Sequence, residues 1–549
     1  MAQLANIAAC LPQMALERPG QAAIVETVGR DRAGQRQFAT LTFAELDART
    51  DKIARGFLHL GLKPGDRVVV MVKPSRDFFA VMFALWKAGL VPVLIDPGLG
   101  RRQLKQCLAE VAPVGFIGIP LAQLARVLLG WGKPTVRHVV TVGRRWLGGG
   151  VTLDEVLRLG ATGAPQLAAT RPEDLAAVLF TSGSTGVAKG VEYQHRHFLA
   201  QVALIRETYG IAPGEIDLPT FPPFALFDPA LGMTTILPQM DFTRPANVNP
   251  LELLELVTHF EVTNVFGSPA LLATVSRHAA QTGAKWPTVR RVISAGAPAS
   301  VATLERMALL LPNGAQVFTP YGATECMPVS NIGSREVLAD TRWATDRGAG
   351  VCVGHIVAPN DVRIIALTDA AIADWRDVTE LPHGEIGEIC VLGPTTTLGY
   401  FGRPEADTLA KIHAGGRLWH RMGDTGYLDA TGRLWYCGRK SHRVVLADRV
   451  LHTAPVEEVL NTHPAVRRTA LVAVKVAGQT EPFVCVEREP GHALPDAQLF
   501  AELTALAADF KASHGITRFH VHPAFPVDIR HNAKIGREIL ATWAQDRLD

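Results

Sequence analysis

Residues 175–190 read LAAVLFTSGSTGVAKG: an unbroken apolar run, then a loop with four hydroxyl side chains, three glycines and one lysine. The run has the length and composition of a buried strand. The loop packs no core, and its permissive backbone is costly to order, so contact with a ligand is the natural reason for it. Gly183 and Gly186 let backbone N–H groups converge, Thr181, Ser182, Ser184 and Thr185 add hydroxyl donors, and Lys189 adds a positive charge. Phosphate is the ligand such chemistry suits. The loop lacks the Walker A pattern, because Ala188 precedes the lysine and Gly190 follows it. On composition alone a linker reading stays open.

Outward from this loop the first half alternates helix and strand. Thr42–Glu45 has capping-box spacing, with Phe43, Leu46, Ile53, Phe57 and Leu60 roughly along one helical stripe. Strands are predicted at 67–72, 90–95, 138–142, 175–180, 262–267, 289–296 and 315–320, with a helix over 76–88. This alternation predicts an α/β fold with mostly parallel, helix-covered sheets. After about residue 350, short strands with Gly-rich turns predict a mostly antiparallel or barrel-like subdomain over about 350–437 within an N-terminal domain of 1–437. Residues 438–549 read as a small α+β C-terminal domain that moves as a lid, with the hinge at GRK 438–440.

The 549 residues exceed what one core organises. A net charge of +3 with no basic block argues against a nucleic-acid partner. Seven scattered cysteines without a C-x-x-C fit a reducing cytoplasm. The N-terminus lacks the basic start of a signal peptide, and the apolar run FFAVMFALW stops at Lys87, too short to span a bilayer.

Several further segments occur in order: WKAGLVPVLIDP (86–97), SAGAP (294–298), YGATE (321–325), GEICVLGPTTTLGYFG (387–402), HRMGDTGYLD (420–429), GRK and PVDIRHNAKIGR (526–537). Together with the loop, they resemble the adenylate-forming superfamily of acyl-CoA synthetases, luciferases and peptide-synthetase adenylation domains over nearly the whole chain. The resemblance implies that ATP and a carboxylic acid form an acyl-adenylate and pyrophosphate. It implies that Thr181, Ser182, Gly183, Ser184, Thr185, Gly186 and Lys189 wrap the β- and γ-phosphates, and that Glu325 helps hold Mg²⁺, a hard cation. Ala295, Gly296 and Ala297 would lie along the adenine, with Tyr321, Gly322, Thr324 and Tyr436 also at the nucleotide. Asp424 would accept from the ribose hydroxyls with Arg439 nearby. Lys534 would reach the carboxylate and α-phosphate to counter developing charge, although the usual P-x-T-x-x-G-K spacing is two residues longer here and Ala533 replaces Gly.

Three departures bear on any thiol-dependent second step: Ala225 stands where the family's PLFH-like segment has His, Ser441 is at the hinge, and Asp448 replaces a glycine of the thiol tunnel. TSGSTGVAKGVEYQH, FPPFALFDPALGMT, DFTRPA and VDIRHNAK resemble one branch, the β-lactone synthetases of bacterial long-chain olefin biosynthesis. That branch implies a 2-alkyl-3-hydroxyalkanoic acid whose own hydroxyl closes the ring, with the pathway's condensing enzyme, reductase and β-lactone decarboxylase as partners. Phe224, Ala225, Phe227 and Met233 are the expected acyl pocket. Alternatives are a long-chain acyl-CoA or acyl-AMP ligase with an external nucleophile, and a non-catalytic acyl- or nucleotide-binding protein. No base for the hydroxyl is evident, and His195, His197, His355 and His420 are expected to be structural.

Overall fold

The computed structural model describes residues 5–96, 98–146, 149–181, 188–492, 494–527 and 535–548. Two sheets build the body. The smaller runs, in spatial order, through Val151–Thr152, His138–Thr141, Gly115–Gly118, Arg67–Met71, Val91–Leu94, Leu175–Phe180 and Gly190–Gln194. Its pairs are parallel except the last, where Phe180 faces Gly190 antiparallel across the phosphate loop.

The larger sheet has a parallel half through Ala22–Arg30, Thr234–Leu237, Ile216–Pro219, Asn264–Phe266, Arg291–Ile293 and Gln316–Ala323. From there Cys326–Gly333, Val351–Ile356, Leu434–Arg439, Arg417–Leu428, Gly387–Leu392 and Asp361–Ile365 continue it antiparallel. The Gly-rich strands after 350 are therefore antiparallel, as their turns imply, and hydrogen-bonded edge to edge with the parallel strands. One hairpin, Ala22–Arg30 with Arg36–Thr42, lies outside the alternation read from sequence.

The helix Arg76–Lys87 explains its own composition. Every residue from Phe78 to Lys87 is buried, so the apolar run serves a helix enclosed by core on all sides. Lys87 is neutralised there by Asp47 at 2.5 Å and Asp51 at 2.6 Å. Those carboxylates come from helix Phe43–His59, which starts with the expected capping box of Thr42 and Glu45. Among the described residues no helix is long and apolar enough to cross a membrane.

Beyond residue 440 the chain packs its own cores. Strands Val466–Val476, Gln479–Arg488 and Phe519–Val521 form a separate sheet, covered by helices Thr453–Leu460, Asp496–Ala508 and Arg537–Gln545. Its two apolar clusters draw only on residues from Val444 onward.

Candidate active site

A cavity of 2570 Å³ opens at the C-terminal ends of the parallel strands and runs into the cleft before helix Thr453–Leu460. That exceeds the roughly 300–1,000 Å³ of a single small-molecule pocket, so it has room for more than one ligand group. Thr181, Lys189, Ala295, Gly296, Ala297, Tyr321, Gly322, Thr324, Glu325, Asp424, Tyr436 and Arg439 all line it. Motifs up to 258 residues apart in sequence, from Thr181 to Arg439, thus converge on one space. Ser182, Gly183, Ser184, Thr185, Gly186 and Lys534 lie outside the described residues.

The phosphate loop is pinned at its base. Thr181 N–H donates to the Lys189 carbonyl at 3.0 Å, and Lys189 N–H donates back to Thr181 Oγ1 at 3.3 Å. Beside it, Phe401 N–H donates to the Gly190 carbonyl at 2.7 Å and Val191 bridges Tyr400. That pairing places the Tyr400 ring under Lys189, whose Nζ stands 4.7 Å from the ring centroid. The Tyr400 hydroxyl donates to Glu325 Oε1 at 2.7 Å. Burial, then the Glu325 charge, raises the phenol well above its usual range, so it stays a donor. Arg403 clamps Glu110 through two bonds of 2.8 and 2.7 Å and donates to the Ala188 carbonyl at 3.3 Å, fixing the loop from its far side.

Glu325 is held from behind by its backbone. Its carbonyl accepts from Thr397 N–H at 2.9 Å and Thr397 Oγ1 at 3.1 Å, and the Tyr193 hydroxyl donates to the Thr324 carbonyl. The buried Lys411 donates to the Thr397 carbonyl, and burial, opposed by Glu325, brings its ammonium down to about 8. A carboxylate with one oxygen on a phenol, beside a resident lysine, matches the oxygen donor a hard divalent cation requires.

At the opposite end Asp424 is buried between two partners. The Tyr321 hydroxyl donates to Oδ2 at 2.7 Å, while Arg439 Nη1 lies 3.0 Å from Oδ1 without making a hydrogen bond to it. Oδ1 therefore accepts no hydrogen bond among the described groups. A buried carboxylate with an unclaimed acceptor is costly unless a ligand donates to it, which is what a ribose hydroxyl does. Burial raises this carboxyl above its usual range, against the opposing pull of Arg439 and the Tyr321 hydroxyl.

Glycine is required at two points of this wall. Gly296 has φ of +99°, a left-handed conformation. At Gly322 a Cβ would come 2.8 Å from the Cys326 carbonyl oxygen.

Phe224, Phe227 and Met233 line the apolar part of the cavity, with Phe224 stacked on Phe266 at 4.3 Å. Ala225, expected beside them, is a correction. It is 1% exposed, does not line the cavity and packs into the core that contains Tyr193 and Phe198. In the short helix Pro222–Ala225 neighbouring side chains point different ways, so adjacency to Phe224 did not place it in the pocket.

Of the four histidines singled out, two are buried in the framework and one is on the surface. His195 Nδ1 accepts from Ile7 N–H at 3.2 Å and His197 Nδ1 from Gln194 N–H at 3.0 Å, with burial bringing them to about 4 and about 3. His355 is on the surface with Glu336 at 3.2 Å. His420 does line the cavity, buried and held neutral by its burial and by Lys411.

Sequence reasoning named neither Tyr400 nor Arg403. Tyr400 sits inside GEICVLGPTTTLGYFG, where the aromatic next to Gly399 was the available signal. Arg403 follows just after and had none.

The family model described as AMP-binding enzyme matches residues 13–401. The chain is 55% identical, over 99% of its length and 98% of the relative's, to an olefin beta-lactone synthetase of Xanthomonas campestris pv. campestris. It is 54% identical, over 99% of both chains, to an olefin beta-lactone synthetase of Stenotrophomonas maltophilia. Among solved structures, the amide bond synthetase McbA of Marinactinospora thermotolerans superposes with a TM-score of 0.79 at 22% identity, covering 98% of this chain and 99% of that one. ATP-bound MatB of Rhodopseudomonas palustris gives 0.78 at 21%, covering 100% of both. These two likenesses establish the mixed α/β architecture with its large body and smaller C-terminal part.

Proposed function

The chain belongs to the AMP-binding enzyme family, and from that premise we propose that it converts 2-alkyl-3-hydroxyalkanoic acids to β-lactones at the cost of ATP. The near-full-length identity with two olefin beta-lactone synthetases carries this reading over the acyl-CoA ligase alternative. ATP is a substrate, and AMP and pyrophosphate are released.

In the first step the substrate carboxylate attacks the α-phosphorus and pyrophosphate leaves. Lys189 and the loop from Thr181 hold the β- and γ-phosphates, and Asp424, oriented by Tyr321 and Arg439, holds the ribose. Ala295, Gly296 and Ala297 flank the adenine. Glu325, oriented by Tyr400, would hold Mg²⁺, which when bound offsets phosphate charge. Lys534 would meet the carboxylate and α-phosphate. The described residues on either side of 528–534, Val527 and Ile535, bridge each other, and Ile535 and Arg537 line the cavity. We place the start of a mobile lid near Gly438, whose Cα approaches so closely that a Cβ would lie 2.1 Å from Thr453 Oγ1.

In the second step the substrate's own hydroxyl oxygen bonds to the acyl carbon and gives up its proton to solvent, while the acyl–phosphate C–O bond breaks and AMP departs with the electron pair. Tethering supplies the nucleophile, an advantage worth effective molarities of roughly 10⁵–10⁸ M in well-oriented cases. No thiol tunnel is needed, which accommodates Asp448 in the exposed turn after Val444–Val445. The upstream condensing enzyme and reductase and the downstream β-lactone decarboxylase would be its partners.

The test is incubation with ATP, Mg²⁺ and a syn-2-alkyl-3-hydroxy acid, with and without CoA, read by NMR. Lactone formed without CoA is expected. Thioester formed only with CoA would transfer the chain to the acyl-CoA ligases, and no AMP at all would leave a binding protein.

A further inference from the structure

The apolar part of the cavity is not lined by apolar side chains alone. Asp217, on strand Ile216–Pro219, and Asp228, at the start of the turn Asp228–Leu231, border it at 3% and 4% exposure. The Asp217 charge acts on the Asp228 carboxyl, and Thr235, the register neighbour of Asp217, joins the two. Asn264 Nδ2 donates to Asp217 Oδ1, and the Thr235 hydroxyl donates to Asp228 Oδ2 at 2.7 Å. Sheet register explains the grouping: Thr235, Asp217 and Asn264 are direct neighbours on three adjacent parallel strands and share one face. Two residues further along, toward the strand ends, Phe266 pairs with Pro219 on that same face and belongs to the cluster of Tyr209, Ile211, Leu231 and Met233.

The polar row therefore lies one layer beneath the aromatic wall. On the next strand Arg291, the register neighbour of Asn264, pairs with Glu215 at 2.5 Å. Among the described residues, Asp217, Asp228 and Asn264 border the cavity, whereas Thr235, Glu215 and Arg291 do not.

We propose that the Asp217–Asp228 carboxyl pair is the fixed inner wall of the acyl branch and sets the longest acyl chain the enzyme activates. The inference rests on the acyl-activating function above. Flexible apolar side chains such as Met233 yield to a longer ligand by changing rotamer. A network of directional bonds anchored to three strands yields only by leaving buried donors and acceptors unpaired, which is costly. Burial pushes both carboxyls upward, which favours their uncharged forms and lowers the charge the wall presents to the chain end.

The experiment measures pyrophosphate release with 2-alkyl-3-hydroxy acids in two series, each lengthening one alkyl arm while the other is fixed. The limit is the length at which the rate falls to half that enzyme's own maximum. In the wild type one series should show a sharp limit. Asp217→Ala with Asp228→Ala, checked for folding by its melting transition, should extend that limit by about two carbons or more, since the freed volume cannot collapse in a close-packed interior. Asp217→Asn with Asp228→Asn keeps the shape and should keep the limit. If the alanine pair does not fold, Asp228→Glu should shorten the limit by about one carbon. A folded alanine pair with the wild-type limit, an asparagine pair shifted as far as the alanine pair, or an unchanged limit in Asp228→Glu overturns the proposal. Absence of pyrophosphate release by wild type with every acid would instead overturn the function itself.

Discussion

The Tyr400 hydroxyl bonds Glu325 Oε1 at 2.7 Å across 75 residues of sequence, and the same ring supports Lys189. One aromatic side chain thus positions both charges expected at the phosphates. Tyr400→Phe keeps the ring and deletes the bond. A hydrogen bond to a charged group is worth about 1.5–3 kcal/mol, so pyrophosphate release should fall about 10- to 100-fold and need more Mg²⁺. A Mg²⁺ titration of wild type and variant that coincide would refute the role.

Asp424→Ala removes the buried acceptor that Tyr321 and Arg439 orient. The KM for ATP should rise about 10- to 100-fold while the KM for the acid changes little. Equal losses on both substrates would point to a folding defect.

Lys534→Ala should abolish pyrophosphate release yet leave ATP binding largely intact, because the proposed role of its charge is confined to the moment when carboxylate attacks phosphorus. Calorimetric ATP titration beside a pyrophosphate assay separates the two. Normal turnover would remove Lys534 from the mechanism.

His195 is buried with its Nδ1 occupied as an acceptor, and its folded-state value of about 4 lies below the ordinary 6.5. Between those values the unfolded chain binds a proton that the folded chain does not. Stability is therefore fully present above pH 6.5 and is lost as pH falls toward 4, by about 2 kcal/mol at pH 5 from this residue. His197 and His452 add to the same window. His195→Asn, which keeps an acceptor for Ile7 N–H, should lose less melting temperature between pH 7 and pH 5 than wild type. Identical pH slopes would show that His195 does not titrate as described.

What the sequence conveyed well was local. The capping box at Thr42, the buried helix after Arg76 and the strand before Thr181 each depend on neighbours within a few residues. The positions expected at the nucleotide were legible through ordered motifs, and the described ones do meet in one cavity. Partnerships created by sheet register were not. Arg403 finds Glu110 across 293 residues, and Asp217 finds Asn264 across 47. In the sequence Asp217 and Asp228 resemble ordinary solvated acids, because burial is a property of the assembled layers. Ala225 failed for a related reason: a contiguous apolar segment does not reveal which of its side chains face the void.

The strands bearing Asp424 and Arg439 belong to the same hydrogen-bonded ribbon as Gln316–Ala323 and Arg291–Ile293, whose ends carry Tyr321 and the Ala295–Ala297 wall. The proposed nucleotide site is thereby built on one template, like a jig that holds one workpiece while the tooling beside it is exchanged. Remodelling of the acyl compartment would leave that template untouched.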